Sequence, residues 1–241
     1  MKKQFLKIGH RGARGRRPEN TLAAFMYAYA WRADAIEFDV RATKDGALVV
    51  FHDATLERLM PGCNGRIKDL TLEEIRQFRI QDQTIPTLME VCEQFGKDMM
   101  LNIELKESGL QDRVLEMVRG MKLTDSVIVS AFARDENNPG SDSTWQDLFW
   151  IKTVEPRIRI ALIAEQPEMM NAAIFAARDT MFPIYSLNFS RKNLDAPMAQ
   201  RVREETGAKL LVWTVNAEDE IKFFKRIGVD GIFSDYPELL L

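Results

Sequence analysis

The sequence predicts a closed (β/α)8 barrel of the TIM type. Short apolar, β-branched segments alternate with stretches of helical period, the strand–helix–strand order of a mainly parallel sheet. Eight such strands in a chain of 241 residues match the roughly 250 residues typical of that barrel. Polar side chains also gather on one face at several strand ends, which is where barrel proteins build their sites.

The strand candidates are 5–10 (FLKIGH), 35–40 (AIEFDV), 47–53 (ALVVFHD), 99–105 (MMLNIEL), 127–132 (VIVSAF), 158–164 (IRIALIA), 184–189 (IYSLNF), 209–215 (KLLVWTV) and 231–236 (GIFSDY). One is surplus to a barrel of eight. Asp45-Gly46 between 35–40 and 47–53 explains it, since this dipeptide marks a tight turn that joins the two runs as a hairpin. The first helix is expected to open at PENT, with Asn20 or Thr21 as N-cap and Leu22, Phe25, Met26 and Tyr29 as its apolar face. Later helices fit 87–95, 110–120, 143–152, 167–178, 195–206 and 217–227. Residues 54–86 are long for a barrel loop and contain LTLEEIRQF, a capped helical turn. They read as an excursion over the barrel mouth, so residues 1–241 are expected to form one barrel domain with a small insertion after the second strand. The loop ARDENNPGSDS (133–143) is polar and turn-rich, and is expected to be mobile.

The formal net charge is -3, with lysine and arginine spread along the chain, which gives no electrostatic footprint for nucleic acid or an anionic membrane. The N-terminal apolar stretch is broken by Lys7 and Gly9-His10-Arg11, too short for a signal-peptide core, and no apolar run approaches a membrane span. Cys63 and Cys92 match no redox or metal spacing. A cytoplasmic protein acting on a small polar molecule, without stable membrane insertion, is the expectation; the residues leave the oligomeric state unset.

Period-two geometry places Glu37 and Asp39 on one strand face, opposite Ile36, Phe38 and Val40, and places Asn102, Glu104 and Lys106 opposite Leu101, Ile103 and Leu105. With the apolar faces turned to the helices, three carboxylates converge near the C-terminal strand ends. Uncompensated, each would cost several kcal/mol. A hard divalent cation with oxygen ligands, Mg²⁺ or Ca²⁺, would relieve them; ion pairing to Lys106 and Arg41 is the alternative. The only two histidines, His10 and His52, each end a strand beside these acids. Two imidazoles permit one base and one acid near neutral pH. Arg11 and Lys106 would cradle a phosphate, although Arg11 could instead form a loop salt bridge with Glu19. The glycines of RGARGRRPEN match neither a dinucleotide fingerprint nor a P-loop. Phe132 serves either as an apolar wall for a substrate carbon chain or as core, Trp213 as core or pocket lining, and Asp235 is a weaker polar candidate.

Together, GHRG (9–12), PENTLAAF (18–25), ADAIEFDVRATKDGALVVFHD (33–53), IPTLMEV (85–91), LNIELK (101–106), VWTVN (212–216) and GIFSDYPELL (231–240) resemble the glycerophosphodiester phosphodiesterases over residues 8–240. The resemblance implies a (β/α)8 barrel with an insertion after the second strand. The implied reaction is metal-dependent hydrolysis of a small glycerophosphodiester to sn-glycerol 3-phosphate and an alcohol. It further implies His10 and His52 as the acid–base pair, Glu37, Asp39 and Glu104 as ligands of one cation, and Arg11 and Lys106 as phosphate contacts. Arg32 stands where the family usually has glycine, and Ser234 where threonine is common. A phospholipase D-like or sugar-phosphodiester hydrolase on the same barrel, and a non-catalytic phosphodiester-binding protein, are the rival readings.

Overall fold

The computed structural model describes residues 5–133 and 145–241. The polar loop expected at 133–143 lies outside the described residues from 134 onward. The strands are β1 (Leu6–Gly9), β2 (Ala35–Ala42), β3 (Leu48–Val50), β4 (Met100–Leu105), β5 (Val127–Phe132), β6 (Arg159–Ala164), β7 (Ser186–Ser190), β8 (Lys209–Trp213) and β9 (Gly231–Ser234). They pair in the order β1-β9-β8-β7-β6-β5-β4-β2-β3, and an additional β1–β2 pairing closes the ring. All the barrel pairs are parallel. β3 alone runs antiparallel, against β2, as the Asp45-Gly46 turn predicts, with Gly46 at φ 85°.

The helices are α1 (Leu22–Ala30), α2 (Leu72–Ile75), α3 (Leu88–Phe95), α4 (Gln111–Gly120), α5 (Trp145–Val154), α6 (Pro167–Asp179), α7 (Ala196–Glu205) and α8 (Glu218–Ile227). After β9 a 3-10 turn, Pro237–Leu240, stands in place of a full helix. Alternation on each strand divides the residues between two cores. Ile36, Phe38 and Val40 of β2 and Leu101, Ile103 and Leu105 of β4 pack outward with Phe25 and Phe95, whose rings lie 5.5 Å and 6.0 Å apart in the Phe25–Phe38 and Phe25–Phe95 pairs. Each such fully buried side chain contributes about 1.5–3 kcal/mol relative to exposure. Inward-facing Ala35 joins Leu6, Ile8, Leu211 and Phe233 in a smaller cluster that fills the lumen toward the strand starts. The upper lumen is thereby left to polar side chains.

Residues 54–86 carry a core of their own, built on Val49, Phe51, Leu56, Ile67, Ile75 and Ile85. Its short α2 is held by a capping box in which Thr71 and Glu74 satisfy each other's backbone donors. Thr87 and Glu90 repeat the device at the start of α3.

For α1 one expectation is resolved and one needs correction. Thr21, not Asn20, is the N-cap, its side chain accepting from the Ala24 amide; Asn20 lies at φ 58° and its side chain is spent elsewhere. Met26 and Tyr29 are 44% and 43% exposed, and it is Ala24 and Ala28 that are buried with Phe25. The cause is close approach. A Cβ built on Gly9 would meet Ala28 Cβ at 2.9 Å, and one on Gly12 would meet Ala24 Cβ at 2.8 Å, so only small side chains fit beneath the loop after β1.

Gly12→Ala combines that clash with a left-handed backbone at φ +83°. The expected loss is about 1–3 kcal/mol from backbone strain alone, read as a lower urea midpoint at unchanged slope. An unaltered midpoint would show that the loop relaxes away from α1.

Candidate active site

The polar end of the lumen is assembled from strand register. Glu37 lies opposite Asn102, and Asp39 opposite Glu104, across the β2–β4 pair. One ligand oxygen from each of Glu37, Asp39 and Glu104 lies within 4.8 Å of the others, and their residues are only 3%, 1% and 7% exposed. Lys106 follows on β4's exit, with Nζ 3.1 Å from Asp39 Oδ1 and hydrogen-bonded to Glu104 Oε1. The loop after β1 supplies the rest. Arg11 (φ 48°) and Gly12 (φ 83°) turn the chain back sharply, which aims the Arg11 amide at Glu37 Oε2, 2.9 Å away. The guanidinium lies with Nε 3.4 Å from Asp39 Oδ2 and donates to Glu19 Oε1 at 2.7 Å. The loop salt bridge with Glu19 is therefore formed. Asn20 Nδ2 donates to Asp39 Oδ2 at 2.8 Å, which is where its side chain goes instead of capping α1.

These contacts sort the acids. Burial alone would raise the Asp39 carboxyl, but Lys106, Arg11, His52 and the Asn20 amide hold it well below the usual range. Glu37 goes the other way: burial, with the charges of Asp39 and Glu104 close by, pushes its carboxyl well above the ordinary value despite the Arg11 amide. Lys106 and Arg11 lie against these acids, and Arg11 is shared with Glu19. Glu37 Oε1 is buried with no hydrogen-bond partner among the described residues. Oxygens that ligate one Mg²⁺ or Ca²⁺ at roughly 2.0–2.6 Å lie within about 5 Å of one another. The spacing, the orphaned oxygen and the all-oxygen donor set thus fit a hard divalent cation. Arg41 pairs with Glu107 Oε1 at 2.8 Å and its Nε donates to the His52 carbonyl at 2.9 Å.

Each histidine is held through Nδ1. Asp235 Oδ1 lies 2.6 Å from His10 Nδ1, and Asp53 Oδ1 lies 2.6 Å from His52 Nδ1. A carboxylate partner assigns the proton to Nδ1 and leaves Nε2 as the free lone pair. For His10 that nitrogen points at Glu37 Oε2, 4.0 Å away. Burial pulls the His10 imidazole below its ordinary value, against the opposing hydrogen bond to Asp235. The Asp235 carboxylate is in turn fixed by Asn216, whose Nδ2 donates to it at 2.7 Å while its Oδ1 accepts the Asp235 amide at 2.9 Å. Ser234, at the threonine position, keeps the needed hydroxyl, donating to Asn216 Oδ1 at 3.1 Å. His52 lies beyond β3, where the hairpin returns the chain so that the Phe51 amide donates to the Asp39 carbonyl at 2.9 Å. Arg58 of the insertion then bonds both Asp53 and Glu19, linking the two histidine loops.

One cavity of about 440 Å³, its open mouth included, is lined by His10, Arg11, Glu37, His52, Glu104 and Lys106, and also by Phe132 and Trp213. Asp39 lies behind this lining, in contact with Arg11 and Lys106. Phe132 and Trp213 meet edge to face at 5.6 Å in this lining, with Lys106 Nζ 5.6 Å from the Phe132 ring centre. Sequence reasoning anticipated Glu19 as the partner of Arg11 but missed Asp53, Arg58 and Asn216. Of these, only Asp53 carried a local signal, as the neighbour of His52. A wider groove bordered by Arg14, Arg16, Arg58 and Gln81 lies outside the histidines and acids.

Among known proteins, residues 10–239 match the model of the glycerophosphoryl diester phosphodiesterase family. A glycerophosphodiester phosphodiesterase of Caldanaerobacter subterraneus subsp. tengcongensis is 33% identical over 250 residues, 98% of this chain and 96% of that one. The glycerophosphodiester phosphodiesterase of Thermotoga maritima superposes with a TM-score of 0.78 at 29% identity, over 98% of this chain and 96% of that one. A phosphodiesterase of Oleispira antarctica, solved in complex with the product sn-glycerol-3-phosphate, gives 0.76 at 27% identity, over 96% and 93%. With the family model spanning nearly the whole chain and a relative this similar at full length, the chain belongs to the glycerophosphoryl diester phosphodiesterase family.

Proposed function

We propose that this chain hydrolyses glycerophosphodiesters to sn-glycerol 3-phosphate and an alcohol in this cavity. In this reading His10 and His52 form the acid–base pair, and Glu37, Asp39 and Glu104 hold one divalent cation, Mg²⁺ or Ca²⁺. The observation that carries it is two imidazoles, each with a carboxylate on Nδ1, lining one cavity with the buried acids. A cation bound by the three acids would supply a Lewis acid to the phosphodiester oxygens. Arg11 and Lys106 line the same cavity, so their positive charge reaches the phosphate and offsets what develops there in the transition state. One Nε2 takes a proton from the nucleophile, either water or the substrate's own glycerol hydroxyl with water then opening the cyclic phosphate, and the other imidazole returns one to the leaving alkoxide. Asp235 and Asp53 keep each ring oriented and stabilise its imidazolium form. Phe132 and Trp213 provide an apolar wall for the substrate's carbon chain.

Residues 1–241 act, in this reading, as one barrel domain, with the insertion bringing Arg58 to the two histidine loops. A cytoplasmic location is supported by Cys63 and Cys92, both free thiols. Among the described residues no helix is long and apolar enough to cross a membrane.

The deciding assay offers glycerophosphocholine, glycerophosphoethanolamine and a lysophospholipid, with and without EDTA. Release of glycerol 3-phosphate from the first two, abolished by EDTA, is the expected result. Preference for the lysophospholipid would favour the phospholipase D-like reading, and binding without turnover the non-catalytic one. His10→Ala and His52→Ala are each expected to lower kcat by about 10²–10⁴-fold, and near-normal turnover in either would remove that histidine from the pair. Cation binding is expected to release a proton. The Glu37 carboxyl, raised by burial and by its acidic neighbours, holds its proton until a cation takes its place. Affinity for Mg²⁺ or Ca²⁺ therefore rises with pH up to the raised value and weakens below it. Calorimetry in buffers of different ionisation enthalpy reads this directly, and Glu37→Gln should abolish most of the release.

A further inference from the structure

The cavity is divided chemically. Its charged lining comes from the chain up to Lys106, whereas the lining from later in the chain, Phe132, Ile163, Asn188, Trp213 and Phe233, is uncharged. Asn102 stands at the junction. It sits on β4 opposite Glu37 and two residues before Glu104, one layer deeper than the Asp39–Glu104 level where Lys106 is paired. The residue is 2% exposed, and among the described residues neither its Oδ1 nor its Nδ2 has a hydrogen-bond partner. Leaving a buried amide unpaired costs about 1–3 kcal/mol per group, and native proteins rarely leave such groups without a reason.

The unpaired atoms indicate the class of ligand. An anion would use the donor and leave the acceptor stranded, and a cation would do the reverse. A hydroxyl both donates and accepts, so it is the group that an amide with both atoms free complements. The carbon-rich surfaces of Phe132 and Trp213 meet edge to face in the lining of the same cavity. Amide and rings together suit a short polyol, whereas Arg11 and Lys106 suit its phosphate. Building on the hydrolysis reading, we infer that Asn102 recognises a hydroxyl of the substrate's glycerol moiety and so sets selectivity for glycerol esters over plain alkyl phosphate esters.

The test uses the Mg²⁺-loaded protein and two ligands that differ only in hydroxyls, sn-glycerol 3-phosphate and propyl phosphate, titrated by calorimetry. Wild type should bind glycerol 3-phosphate about 10-fold or more tightly over propyl phosphate, the discrimination expected of a site built to hydrogen-bond a hydroxyl. Asn102→Leu, close in volume, should bring the two affinities within about 2-fold of each other. Its melting temperature should not fall, because the amide it replaces has no partner to lose. Equal affinities in wild type would overturn the inference without recourse to any variant. So would a ratio preserved in Asn102→Leu, or equal weakening of both ligands together with lower Mg²⁺ affinity, which would assign the amide to the cation's water shell. Turnover of glycerophosphocholine by wild type is followed alongside. A chain that shows the binding ratio but no turnover would sink the hydrolysis reading while leaving the Asn102 assignment standing.

Discussion

Three carboxylates buried within 4.8 Å of one another set the terms for everything around them. Charges so placed repel strongly in a medium that screens poorly, and the fold answers with every neutralising group in reach. Lys106 is drawn to Asp39 and Glu104. Arg11 takes a left-handed backbone so that its amide faces Glu37 while its guanidinium faces Asp39. Asn20, also left-handed, gives its amide to Asp39. Such conformations cost on the order of 1–3 kcal/mol each and persist where the surroundings over-determine them. Even so the compensation is incomplete, and the shortfall falls on Glu37, which keeps an unpaired oxygen and a raised carboxyl.

The same economy of charge extends outward from the acids. Arg11 leads to Glu19, Glu19 to Arg58, Arg58 to Asp53 and Asp53 to His52. The chain of contacts joins the loop after β1 to the insertion, two segments that share no strand pairing. An insertion with its own apolar core can therefore be rigidly referenced to the barrel through buried and half-buried ion pairs. His10 is held from the opposite direction, by β9 through Asp235 and the Asn216 clamp. The two imidazoles are thus oriented by separate carboxylates, whose networks Arg14 brings together, its Nε 3.9 Å from Glu19 and 3.6 Å from Asp235.

The barrel and the acids are legible because both follow from strand parity. Once Ile36, Phe38 and Val40 face the helices, Glu37 and Asp39 must face the lumen, and no tertiary knowledge is needed. Arg32 shows a subtler case: its position at φ 53° explains why the resemblance leads one to expect glycine there. What parity does not carry is partnership. Asn20 reads equally well as an N-cap or as a lumen donor, and only the approach of β2 decides between them. Glu19 and Arg58 are 39 residues apart, and no local pattern announces that they will meet. The exposed Met26 and Tyr29 are misread for a related reason. The apolar face of α1 is dictated by how closely Gly9 and Gly12 let the helix approach, a property of the loop and not of the helix's own period.

The layering of the lumen also explains why one barrel end is stable and the other reactive. Toward the strand starts, Leu6, Ile8, Ala35, Leu211 and Phe233 close the lumen with apolar atoms that need no partners. Two residues further along the same strands, alternation brings in Glu37 above Ala35 and Trp213 above Leu211. Glu37 and Trp213 therefore stand above the apolar layer, which forms the cavity floor beneath them. That floor excludes water from below the acids, which keeps the local dielectric low and every charge interaction above it strong. The apolar layer that stabilises the barrel is thus also what leaves Glu37 short of countercharge.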